Sequence, residues 1–160
     1  MNELVEAVER VVQLEATRES TLRSECSCPL DDVVLTETRE VIALERGALD
    51  ELRTELQRES VEIASLEASA SHLETEQAVR NRDEALDGLT SHHGLLEEFE
   101  TAMRAALEAI GENIDAIDSG EVPEADPEPH LQQAREALEA HNEAVDGLGK
   151  NLRILNAYLL

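Results

Sequence analysis

The chain has 160 residues, the size of one domain, with 31% charged and 41% apolar side chains but one Phe (Phe99), one Tyr (Tyr158) and no Trp. Its 28 Glu and 9 Asp stand against 12 Arg and one Lys (Lys150), a formal net charge of −24. This balance excludes phosphate-backbone binding, which needs clustered Lys and Arg, single-strand stacking, which needs aromatics, and adsorption to anionic membrane surfaces.

Residues 2–25 are expected to form a first helix, with Leu4, Val8, Val11 and Leu22 on one face and a weak stripe where Glu15 and Arg18 interrupt it. The segment Cys26-Ser27-Cys28-Pro29 ends it. Proline disfavours helical geometry at Cys28 and suits the first turn of a following helix. Asp31 and Asp32 then fall where a helix N-terminus favours negative charge.

A second helix is expected over 32–86. Positions 35, 38, 42, 45, 49, 52, 56, 59, 63, 66, 70 and 73 step alternately by three and four. Only Thr38, Glu45 and Glu59 among them are not apolar. A period of 3.5 implies packing against a partner helix with left-handed supercoiling. The stripe then meets Gln77, Arg80 and Glu84, and a new register begins at Leu89: His92, Leu96, Phe99, Met103, Ala106, Ile110, Asn113, Ile117. A turn over 87–91, capped by Gly88 and Ser91, is the favoured account; one continuous helix with a phase slip is the alternative. The third helix is expected over 91–118. An acidic loop follows over 119–126, where Asp126 before Pro127 reads as a helix cap. The last helix, 127–158, carries Leu131, Ala134, Leu138, His141, Val145, Leu148, Leu152, Leu155 and Leu159 on one stripe. No alternating strand pattern is present. The expected fold is therefore all-α: a single helical unit over 1–160, packed as an antiparallel coiled coil or bundle with short connections.

Acid excess, a single Lys and few large hydrophobes give the chain a composition that resembles haloarchaeal proteins. The resemblance covers the whole chain and points to no family. It implies a salt-rich cytoplasm, where a Debye length of about 3 Å near 1 M screens the self-repulsion. The N-terminus lacks the basic-then-apolar order of a signal peptide, and no apolar run reaches the roughly 18 residues of a membrane span. Both features also favour a cytoplasmic address.

Chemistry-bearing motifs are sparse. Cys26 and Cys28, the only cysteines, could supply two thiolates to a zinc ion, but a closed site needs four ligands, as in a two-fold dimer. They could instead exchange thiols, although the usual redox spacing has two intervening residues. They could equally be free thiols in a reducing compartment. His92 and His93 are adjacent and diverge by about 100° on a helix, so they do not converge on one ion. His92, His141 and Asn113 fall on heptad stripes, where a lone polar residue sets register. A di-iron helix motif needs Glu three residues before His; here those residues are Ser69, Leu89, Thr90, Pro127 and Leu138. Phosphate-cradling loops and nucleophile elbows are absent.

The expected function is non-enzymatic: a structural or protein-interaction scaffold acting through helix–helix association, with no required cofactor. Its partners are a second copy or the helices of another protein. The stripe leucines expected to carry it are Leu49, Leu52, Leu56, Leu66, Leu73, Leu148, Leu152 and Leu155. A zinc or redox module at Cys26 and Cys28, and an acidic nucleic-acid mimic that occupies a basic protein, are the alternatives.

Overall fold

A computed structural model describes residues 32–159. The expected first helix and the Cys26–Cys28 segment lie outside the described residues. Three helices account for most of the remainder: α1 (Asp32–Ala70), α2 (Glu76–Asp118) and α3 (Glu128–Leu159). No strand occurs among the described residues. The fold is all-α.

The chain divides into two compact units. The described part of the first comprises 32–54 and 103–131, and that of the second 55–102 and 132–159. In the first, Leu35, Ile42, Leu49 and Leu52 of α1 are buried, as are Met103, Ala106, Leu107 and Ile114 of α2. Arg39 reaches Asp115 and Asp118 at 3.1 and 2.8 Å, and Arg104 reaches Asp50 at 2.8 Å. As α1 ascends from 39 to 50, its partners descend from 118 to 104, so the two helices run in opposite directions. These ion pairs are exposed and contribute little to stability; burial of the stripes supplies the main term.

In the second unit Leu56, Leu96, Phe99, Ala134 and Leu148 are buried, and Ala70, Ala85 and Leu155 form one further cluster, with Leu66, Leu73, Leu152 and Leu159 half-buried around it. The two alanines contribute little side-chain bulk between the helices there. Gly88 continues the close approach, since a Cβ on it would lie 3.1 Å from Leu148 Cδ1.

Two expected boundaries are corrected. The second helix ends at Ala70 rather than 86, and the third begins at Glu76 rather than 91. The turn therefore falls at 71–75, not 87–91. Its chemistry is local: the Ser71 hydroxyl donates to Ala68 O at 2.7 Å, and Ala78 N–H donates to the Thr75 hydroxyl at 3.3 Å. Thr75 is thus the N-cap of α2. Gly88 is a helical packing residue and not a cap. Once α2 starts at 76, its stripe continues back from Leu89 through Ala85, Arg82 and Ala78. The disrupted register at Gln77 marks a new helix.

The proline-containing loop runs one residue longer than expected, from 119 to 127, and the last helix starts at Glu128 rather than 127. Gly120, at φ +74°, takes the left-handed conformation. Gly120 N–H donates to Ile117 O at 3.0 Å and Glu121 N–H to Ala116 O at 2.8 Å. This pair of bonds closes the end of α2 as a Schellman cap. Asp126 Oδ1 accepts from Glu128 N–H at 3.1 Å and caps α3. Asn113 ties the loop back to α2. Its Nδ2 donates to Ala125 O at 2.8 Å, and its Oδ1 accepts from Ala125 N–H at 3.0 Å.

Candidate functional site

Apolar stripes bring their polar interruptions together where helices pack. In the second unit Glu59 of α1, His92 of α2 and His141 of α3, each a stripe position, meet at one level. His92 Nε2 and His141 Nε2 are 2.9 Å apart, with ring centroids 4.5 Å apart and planes inclined by 48°. Both residues are only 9% exposed. On the other side of His92, its Nδ1 lies 3.2 Å from Glu59 Oε1. This contact is close enough for strong charge interaction but off the line of a well-formed hydrogen bond, and Nδ1 has no other partner. The well-formed bond comes from the neighbour: His93 Nδ1–H donates to Glu59 Oε2 at 3.1 Å. His93 Nε2 also lies 3.5 Å from Glu97 Oε1, one helical turn on.

Opposing effects set the charge of the cluster. Burial pushes the Glu59 carboxyl up, but the hydrogen bonds and charges of His92 and His93 outweigh it and hold it below the usual carboxylate value. Burial, reinforced by the charge of His92, holds the His141 imidazole below its ordinary value; the Asn142 side chain and Glu59 act in the opposite direction and lose. Glu59 is therefore the ionised member and His141 a neutral one near pH 7. A neutral imidazole has one N–H and one lone pair. Across the 2.9 Å contact one Nε2 therefore donates its hydrogen and the other accepts with its lone pair.

Such a cluster can hold or relay a proton and can fix helix register. Among the described residues no three His, Cys, Asp or Glu groups converge to hold a metal ion. The sequence places His92 and His141 on stripes one at a time; their meeting with each other and with Glu59 depends on the alignment of three helices. The relevant signal was present in the three polar breaks of otherwise apolar stripes.

Most of the expected interaction leucines are covered by their own chain. Leu49, Leu52, Leu56, Leu148 and Leu155 are buried, and Leu66, Leu73 and Leu152 are half-buried. Cys26 and Cys28 lie outside the described residues. No helix among the described residues is long and apolar enough to cross a membrane. No protein-family model, no curated protein and no solved structure matches the chain.

Proposed function

We propose that this protein is a non-enzymatic helical scaffold or adaptor of a salt-rich cytoplasm, acting by coiled-coil-type association with a second copy or with helices of another protein. The observation that carries this reading is the half-buried leucine rim around one buried cluster of the second unit. Ala70, Ala85 and Leu155 are covered, but Leu66, Leu73, Leu152 and Leu159 remain half-buried at its rim. A further helix laid on this rim would complete their burial, worth roughly 1 kcal/mol for each half-exposed leucine. Acids on the outer faces would select partners by charge, as flanking positions do in helical seams.

Light scattering on the full chain in about 2–3 M KCl, from micromolar to millimolar, tests self-association, and cross-linking in host extract tests a foreign helix. The double variant Leu66→Gln, Leu152→Gln should abolish the association and keep its helicity. A strict monomer that cross-links to nothing through the rim overturns the proposal.

A further inference from the structure

The His92–His141 contact has only one arrangement of protons that fits its distance. At 2.9 Å between the two Nε2 atoms, one nitrogen must present a lone pair. A single hydrogen lies between the rings, whether the pair is neutral or carries one extra proton on an outer nitrogen. If both rings are charged, both Nε2 atoms carry hydrogen. Two N–H groups would then point at each other across a hydrogen-bond distance, and two cations would sit in a nearly dry interface. The rings must part.

The surrounding charges do not prevent this. From α1, Glu59 faces the pair, but it lies on the far side of His92 from His141 and is shared with His93. From α2, His93 stands beside Glu59, and Glu97 beside His93. On α3 the neighbouring polar group is Asn142, which is uncharged. Glu59 thus compensates a charge on His92 directly, whereas no carboxylate among these lies against His141. The consequence falls on α3, because His141 is its buried polar anchor and Leu148 packs on Gly88 two turns further along.

We propose that His92 and His141 form a proton-operated latch: sharing one hydrogen they hold α3 against α2 in the second unit, and full protonation of both rings releases α3. The direction with pH follows from linkage. The His141 imidazole is held below its unfolded value, so the folded state binds fewer protons in the interval between them. The stability it confers is complete above the unfolded value of about 6.5 and is lost as pH falls from there through the lowered folded value. Carboxylates ordinarily titrate lower, near pH 4, so the interval near pH 5.5–7 belongs mainly to histidine.

The test uses the full chain in concentrated KCl with a chelator present. Between about pH 7.5 and 5.5 the wild-type Tm should fall by roughly 2–4 °C. Amide exchange in residues 134–155, corrected for its intrinsic pH dependence, should rise over the same interval. In His141→Gln both responses should flatten, while His130→Gln should behave as wild type. A flat wild-type profile, or an equal decline in His141→Gln, overturns the latch. Ring-proton NMR of the wild type decides the matter even if that variant fails to fold. His141 should titrate below about 6.5, and titration at the model-peptide value overturns the proposal.

Discussion

Glu59 accepts from His93 and stands against His92, and its ionised form is favoured despite burial. Glu59→Gln keeps the shape but removes the charge that these rings face. The expected loss is about 1–3 kcal/mol near neutral pH. Because the folded carboxyl lies below its unfolded value, this contribution is present above the unfolded value and is lost as pH falls through the folded one. Denaturant titrations at about pH 7 and about pH 3 should therefore show a clear difference between variant and wild type at the first and a smaller one at the second. Asn113 offers a simpler case. Its amide makes both hydrogen bonds to Ala125, and Asn113→Ala should cost about 1–2 kcal/mol by the same measurement. On sequence grounds Asn113 resembled a register-setting residue; its observed partner is the loop backbone, which no spacing rule encodes.

At the level of elements, helix boundaries are governed by side chains that meet orphan backbone groups. Thr75 caps α2 with a bond to Ala78 N–H, and Thr75→Ala should lower stability by about 1 kcal/mol. The glycines offer a second test. Gly47 and Gly94 are helical and have nothing within 4 Å of an added Cβ, whereas at Gly88 the Leu148 methyl stands 3.1 Å away. Gly47→Ala and Gly94→Ala should each stabilise by about 0.5–1 kcal/mol, and Gly88→Ala should gain less. Thermal melts of the three variants in one buffer provide the comparison. The long patterned stripes were readable because a 3.5-residue period survives over many turns. The turn at 71–75 was not, because it contains no Gly or Pro, whereas Gly88 and Ser91 offer turn chemistry nearer the new register.

For the whole molecule, the net charge of −24 makes self-repulsion a function of salt. Lowering KCl from about 1 M to about 0.1 M lengthens the Debye length from roughly 3 to roughly 10 Å. Helicity followed by circular dichroism should fall on dilution and return on restoring salt. Salt-independent helicity would mean that the stripes outweigh the repulsion unaided. The all-helical class, the inward stripes, the acidic loop with its Asp126 cap, and the acidity were determined by sequence alone, because propensity, periodicity and capping act within a few residues of chain. Tertiary structure decided which stripe meets which. Alignment of α1, α2 and α3 in the second unit turned Glu59, His92 and His141 from three separate flaws into one buried cluster. It also assigned Leu49, Leu52, Leu56, Leu148 and Leu155 to intrachain packing and left Leu66, Leu73 and Leu152 half-buried, since contacts between residues far apart in sequence depend on where each helix starts and on how closely Ala70, Ala85 and Gly88 let their neighbours approach.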